Sequence, residues 1–252
     1  MSETLFISDL HLSPARPGCT GLLLGFLASR ARQADALYIL GDLFDAWIGD
    51  DDPSPPSPAV VRGLRTLVDS GTPVFLMHGN RDFLLGSRFA ESSGARLIPD
   101  PTVVDLYGTP TLLMHGDLLC TADRAYQAMR QQIRAPEFVD QVLARPIPER
   151  KAMAAEYRRR SGEANSLKPD DIMDVSLDAV AKVMLEHGVE RLIHGHTHRP
   201  ANHRFHLDGK PAERLVLAEW HEDEGQAICV SPQGVHREPI RLAGHPVSGL
   251  TA

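Results

Sequence analysis

Cysteine is scarce in this chain: three among 252 residues, at Cys19, Cys120 and Cys229. No two of them form a C-x-x-C pair, which excludes a thiolate metal site. An odd, widely spaced set suits a reducing compartment better than a disulfide framework. Positive charge is also in deficit, with 26 Lys and Arg against 33 Asp and Glu, a net charge of −7. That balance argues against wholesale nucleic-acid binding, though not against a local basic patch, and the basic, aromatic-interleaved groove signature of a nuclease is missing. Long apolar runs are absent as well. The longest, 22–28, is broken by Gly25 and is far too short to span a bilayer. No basic region followed by a long apolar stretch precedes the first apolar strand, so no signal peptide is expected. What remains is a globular composition, 42% hydrophobic and 23% charged, in a length suited to one domain with ample sequence for a core.

Short apolar runs alternate with helical patterns through the first half. Residues 4–8 (TLFIS), 36–40 (ALYIL) and 73–77 (PVFLM) read as buried strands, with helices over 21–32 and 59–70 between them. Residues 111–114 and 191–193 supply two more strands. Strands separated by helices of this length predict a layered α/β core with parallel elements. After Pro200 the pattern changes to short strands around 214–218, 226–230 and 235–240, predicting added antiparallel strands. The Pro- and Ser-rich run 50–58 (DDDPSPPSP) reads as a solvated, mobile acidic loop.

Each early strand ends in polar residues. The ends are Ser8-Asp9-Leu10-His11, Gly41-Asp42-Leu43-Phe44-Asp45, His78-Gly79-Asn80-Arg81-Asp82 and His115-Gly116-Asp117. Any one of these is an ordinary turn. Their recurrence matters, because ligand sites in open α/β sheets lie at strand carboxyl ends. The fifth end is His194-Gly195-His196-Thr197-His198, three histidines alternating with small residues. Imidazoles at i and i+2 on a turn, where Gly195 permits unusual dihedrals, can point into one cleft and hold metal.

In this order the blocks D-x-H, G-D, G-N-R-D, a lone His after a strand and G-H-x-H resemble those of the calcineurin-like metallophosphoesterase superfamily, over nearly the whole chain. The resemblance implies a four-layer αββα sandwich, 1–252 as one domain, with two metal ions at the strand ends. Carried onto matching positions, Asp9, His11, Asp42 and His198 hold one ion. Asp42 as a bridging carboxylate, with Asn80, His115 and His196, holds the other. Imidazoles, carboxylates and one amide oxygen are borderline-to-hard donors, suited to Mn²⁺, Fe²⁺, Co²⁺ or Zn²⁺, with two Mn²⁺ favoured. Two cations roughly 3.5–4 Å apart can clamp a phosphoryl group and activate a water between them. His78 and His194 are read as packed residues or partners behind the ligands. Asp45, Asp82 and Asp117 are read as turn caps or as orienting ligand histidines or Arg81.

Two features bear on the substrate. Arg81 stands where many members of the superfamily carry His; a guanidinium grips phosphate oxygens bidentately but is a poor general acid. It is expected to stabilise charge on the transferring group, favouring a leaving group that needs little protonation. Residues 121–168 show helical spacing and no strand pattern, predicting a small helical lid inserted between the fourth block and the final helix. From Arg124 to Arg160 nine basic residues face four acidic ones. A basic amphipathic cap suits an anionic substrate with apolar tails or an anionic membrane surface, while the plain alternative is a solvated helix face.

Within the superfamily, the runs 8–12, 41–50, 78–83 and 193–200 are similar to the UDP-2,3-diacylglucosamine diphosphatases of bacterial lipid A biosynthesis. That resemblance implies Mn²⁺-dependent pyrophosphate hydrolysis by water attack on the α-phosphorus of a lipid-linked UDP-sugar, giving UMP and 2,3-diacylglucosamine 1-phosphate. It implies peripheral attachment to the cytoplasmic face of the inner membrane; from the charge balance no nucleic acid is expected, and no obligate protein partner is evident in the sequence. The positions matching its substrate contacts are Asn80, Arg81, Asp123, Tyr126, Ser161, Asn165, Lys168 and His196. The rival expectation is a soluble dinucleotide or cyclic-nucleotide phosphodiesterase with the same centre.

Overall fold

The computed structural model describes residues 2–166 and 174–241. Its first half runs β1 (Thr4–Ile7), α1 (Pro17–Ala28), β2 (Ala36–Leu40), α2 (Ser57–Asp69), β3 (Val74–Met77), α3 (Ser87–Ser93) and β4 (Arg96–Ile98). Strands β5 (Thr102–Leu106) and β6 (Thr109–Met114) follow, then helices α4 (Arg124–Ile133), α5 (Pro136–Leu143), α6 (Ile147–Ser166) and α7 (Leu177–Glu186). The chain continues through β7 (Arg191–His194), β8 (Ala201–Leu207), β9 (Lys210–Val216), β10 (Glu224–Ser231) and β11 (Gly234–Arg241). Two sheets result, in the orders β11-β10-β1-β2-β3-β4 and β5-β6-β7-β9-β8.

Side-chain alternation along the strands explains the layering. In β1, Leu5 and Ile7 join Leu37, Ile39, Val74 and Leu76 against the apolar faces of α1 and α2. The intervening Phe6, Tyr38, Leu40 and Met77 meet Leu113, Ile193 and Leu215 of the second sheet. The far face of that sheet, through Leu112, Met114 and Leu192, packs on Val180 and Met184 of α7. Helix, sheet, sheet, helix is therefore the four-layer αββα arrangement. Each of these strands is buried on both faces, which is why each reads as a continuous apolar run rather than an alternating one.

Several expectations are adjusted. Helix α1 begins at Pro17, a favoured first-turn residue, and stops at Ala28, leaving Arg30–Gln33 as a separate 3₁₀ turn. Strand β9 is not a simple added antiparallel strand: it pairs with β8 antiparallel and with β7 in parallel. Elements α3, β4, β5 and β8 were not read from the pattern. Hairpins β5–β6 and β8–β9 turn on Tyr107-Gly108 and Asp208-Gly209, both pairs at positive φ. The D-G pair was a usable sign of the second hairpin.

The acidic run at 50–52 is not a free loop. Asp50 accepts hydrogen bonds from the backbone N–H of Gly86 and Phe89 at 3.0 Å each, capping α3 from outside the helix, and from Trp47 Nε1 at 2.9 Å. Asp51 pairs with Arg150 of α6 at 2.5 Å, and Asp52 lies 3.3 Å from Lys151.

Candidate metal centre

The ligand candidates gather at the carboxyl ends of β1, β2, β3, β6 and β7, on turns whose backbones are unusual. Among the described residues, seven non-glycine positions have positive φ, and five of them are Asp9, His11, Asp42, His196 and His198. Such conformations are sterically costly and persist where surrounding structure enforces them. Here the turns lock one another: Asp9 N donates to Gly41 O, His11 N to Asp42 O and Gly195 N to His115 O. Gly195 is not at positive φ; it is required because a Cβ there would lie 2.3 Å from Ser8 Oγ and 2.4 Å from Asp9 Oδ2. Gly79 is fixed in the same way, its Cβ falling 2.0 Å from Asp42 Oδ1.

Two groups of donors form around these turns. In the first, His11 Nε2 and His198 Nε2 are 3.2 Å apart, and His198 Nε2 is 3.5 Å from Asp9 Oδ1. In the second, Asn80 Oδ1 lies 2.9 Å from both His115 Nε2 and His196 Nδ1, and His115 Nε2 is 3.8 Å from Asp42 Oδ1. Asp42 also approaches the first group, its Oδ2 being 3.9 Å from His11 Nδ1. All seven expected ligands are thus brought together, with Asp42 between the two halves.

The residues fit a pair of divalent cations. Asp9 is buried, its Oδ2 accepts from Ser8 Oγ at 2.5 Å and from His196 N at 2.9 Å, yet its Oδ1 has no hydrogen-bond partner. Its nearest opposite group is His198 Nε2 at 3.5 Å, and a buried carboxylate oxygen without a hydrogen bond is costly unless it coordinates something. Burial pushes Asp42 up to about 7 against the opposing pull of His115. Burial opposes protonation of His115 and His198, but the carboxylates around them prevail, raising the two to about 9 and about 10. Burial instead pushes His11 and His196 down, to about 4 and about 3, so these two imidazoles stay neutral with lone pairs that a cation could take.

Other candidates separate clearly. His194 is fully buried, its Nε2 accepting from Arg214 at 3.1 Å and its Nδ1 lying 2.8 Å from Gly195 O; burial holds it down at about 4. It is a packed residue, as is His78, whose Nε2 lies 2.8 Å from Leu85 O. Asp82 takes the turn-capping role, accepting from Leu43 N, Phe44 N and Gly79 N at 2.7, 3.3 and 2.8 Å. Asp45 and Asp117 reach the helical insertion instead. Asp45 pairs with Arg158, and Asp117 accepts from Tyr126 Oη and Arg130 Nε at 2.6 Å each. Burial would raise Asp117, but His115 and Arg130 outweigh it and keep its carboxyl below the usual range. Residues that carried no motif also take part: Ser8 behind Asp9, Arg134 donating to Gly79 O at 2.7 Å, and Glu219, 3.0 Å from His198 Nδ1.

Helices α4, α5 and α6 lie over this centre. Five of their basic residues point back to the body: Arg130 and Arg134 at Asp117, Arg150 at Asp51, Lys151 at Asp52 and Arg158 at Asp45. Much of the excess positive charge in the insertion therefore matches acidic groups of the body. Between insertion and body lies an apolar cavity of about 120 Å³ lined by Trp47, Phe83, Met129, Ile133, Phe138 and Met153, among others. It shares Asn80, Arg81 and Tyr126 with the polar cleft formed by His11, Asp42, Asp123, His196 and His198. Arg81 N donates to Asp42 Oδ1 at 2.8 Å, and Tyr126 stacks 6.1 Å from His196. Asp123 caps α4, accepting from Tyr126 N at 3.1 Å. The side chains of Ser161 and Asn165, and Lys168 altogether, lie outside the described residues.

The family model of the calcineurin-like phosphoesterases matches residues 3–200. A UDP-2,3-diacylglucosamine hydrolase of Cellvibrio japonicus is 53% identical over 233 residues, 92% of this chain and 97% of that protein. Proteins of the same name from Xanthomonas oryzae pv. oryzae and Marinobacter nauticus are 51% and 52% identical. They cover 95% and 94% of this chain and 99% and 98% of their own.

Proposed function

The chain belongs to the calcineurin-like phosphoesterase family, and from that premise we propose that it hydrolyses the pyrophosphate bond of UDP-2,3-diacylglucosamine, a step of lipid A biosynthesis. The observation that carries this reading is the continuity of the apolar cavity with the polar cleft through Asn80, Arg81 and Tyr126. An amphiphile with acyl chains beside a diphosphate needs such a pair of compartments, and a small dinucleotide does not.

Asp9, His11, Asp42 and His198 would hold one cation, and Asp42, Asn80, His115 and His196 the other, with Mn²⁺ as the proposed metal. When bound, such a pair supplies Lewis acidity toward the phosphoryl oxygens and lowers the pKa of water. The chain's own residues do the rest. Arg81, at the junction of cleft and cavity, offers a planar fork to the phosphate oxygens, where charge grows as the bond to the leaving phosphate breaks. The proposed attack is on the α-phosphorus, so the water oxygen ends in UMP and the bridging oxygen leaves with 2,3-diacylglucosamine 1-phosphate. Tyr126 and Asp123 line the cleft where the nucleotide half would lie, and Ser161, Asn165 and Lys168 are proposed further contacts. Segment 121–168 then acts as the lid of one domain spanning 1–252.

Peripheral association with the cytoplasmic face of the inner membrane belongs to the same proposal, because the acyl chains have to leave a bilayer to reach the cavity. Among the described residues no helix is long and apolar enough to cross a membrane. One assay tests the reading: UDP-2,3-diacylglucosamine incubated with Mn²⁺ in H₂¹⁸O, with and without chelator. UMP carrying the label, lost on chelation, is expected. Preferential turnover of diadenosine polyphosphates or cyclic nucleotides would refute it.

A further inference from the structure

Behind His198 stands a carboxylate that the five sequence blocks do not include. Glu219 Oε2 is 3.0 Å from His198 Nδ1, while the opposite nitrogen of that ring faces His11 Nε2 at 3.2 Å and Asp9 Oδ1 at 3.5 Å. A carboxylate that accepts Nδ1–H fixes the tautomer, leaving the Nε2 lone pair directed at the ligand cluster. His115 is held differently, its Nδ1 lying 2.9 Å from the backbone oxygen of Leu40. A backbone carbonyl orients a ring but adds no net charge; Glu219 does both.

The placement of Glu219 is enforced from several sides. Leu217 N donates to His194 O at 2.7 Å and Trp220 N to Asp9 O at 3.2 Å, so the segment bearing Glu219 is bonded to two ligand-bearing strand ends. The Trp220 ring is fully buried, 5.7 Å from Phe26 and seated on Gly225, where a Cβ would come within 2.3 Å. Arg16 Nη2 donates to Trp220 O at 2.5 Å, and its Nη1 lies 3.6 Å from Glu219 Oε1.

We propose that Glu219 is a positioning residue for His198, with Arg16 holding it in place, and that it sets the cation affinity of the Asp9–His11–His198 half of the centre. The proposal rests on the two-metal reading. It makes the halves unequal by construction, since only the first has a carboxylate behind a ligand imidazole among the described residues.

The test needs no substrate. Chelator-stripped wild type, Glu219→Gln and Glu219→Ala are titrated with Mn²⁺ and free ion is followed by electron paramagnetic resonance. Wild type is expected to take up two equivalents. In Glu219→Ala one equivalent should weaken about 10–100-fold while the other holds, the range typical for loss of such partners. Glu219→Gln, which still accepts from Nδ1–H without the charge, should fall between them and serves where the alanine variant folds poorly. Unchanged affinities in both variants would overturn the role of Glu219. Fewer than two equivalents in wild type would instead overturn the two-metal reading beneath it.

Discussion

Asp82 offers a direct test of how the centre is held. Its carboxylate is fully buried and accepts three main-chain N–H groups: Leu43 and Phe44 on Oδ2, at 2.7 and 3.3 Å, and Gly79 on Oδ1, at 2.8 Å. The first two belong to the turn that carries Asp42, and the third directly precedes Asn80. Replacement by Asn keeps shape and volume but turns one acceptor into an NH₂ group. Whichever way the amide flips, one or two backbone donors then meet hydrogens rather than an oxygen. Hydrogen bonds to a charged group contribute about 1.5–3 kcal/mol, and a buried donor left unmade costs about 1–3 kcal/mol. Together these predict that Asp82→Asn destabilises the fold by about 2.5–6 kcal/mol.

For a chain of this length, at about 2–4 °C per kcal/mol, the thermal midpoint should fall by roughly 5–24 °C. Circular dichroism on chelator-stripped protein measures it without a contribution from metal. The same variant should bind Mn²⁺ more weakly in the half containing Asn80, because the turn bearing Gly79 is released. A midpoint within about 3 °C of wild type, at the error of such a scale, would refute the reasoning.

Three further outcomes follow from the same geometry. Arg81→Lys keeps a cation but loses the planar fork, so kcat/KM for the lipid substrate should fall about 100-fold, the scale of a lost transition-state donor; a change under threefold would contradict its role. Met129→Glu places a carboxylate in the apolar cavity and should raise KM for the diacyl substrate at least about tenfold, by loss of one buried side chain's contacts. Its hydrolysis of bis(p-nitrophenyl) phosphate should stay near wild type, and equal losses on both substrates would count against acyl binding there. Asp100 is raised to about 6, first by burial and then by Asp117, and neither of its oxygens has a hydrogen-bond partner. A carboxyl raised on folding contributes stability below its unfolded pKa near 3.9 that is lost as pH rises through 6. Asp100→Asn should therefore be more stable than wild type at pH 8 by up to about 3 kcal/mol, with the gap closing near pH 4; a gap independent of pH would show that ionisation is not the cause.

The candidate ligands are legible because each lies within a few residues of a strand end, and two-sided burial makes those strands read as apolar runs. What stayed illegible depends on partners far along the chain. The acidic run at 50–52 looks solvated until Arg150 and Lys151, about a hundred residues later, are brought against it. Asp117 resembles a turn cap in sequence, yet its partners Tyr126 and Arg130 sit on α4. Among the described residues strand β8 pairs only with β9, and it keeps most of its side chains exposed, so it carries no apolar periodicity. Glu219 is separated from His198 by the whole β8–β9 hairpin, and nothing in Leu217-Ala218-Glu219-Trp220 distinguishes that carboxylate from a surface one.

The concentration of positive φ at Asp9, His11, Asp42, His196 and His198 has a physical logic that motif spacing alone does not convey. Each such residue costs on the order of 1–3 kcal/mol, so five in one site represent a considerable local strain. That strain has to be offset by structure outside the ligands. The offsets are visible in the three N–H groups gathered by Asp82, the Ser8 and His196 donors on Asp9, and the Trp220 and Leu217 hydrogen bonds to the neighbouring strand ends. Most of the donors are backbone groups, gathered by the side-chain carboxylates of Asp82 and Asp9. The two sheets thus hold these side chains in a fixed constellation, and Arg130, Arg150 and Arg158 clip the helical insertion onto the body. The polar cleft of the two sheets and the apolar cavity under the insertion meet at Asn80, Arg81 and Tyr126.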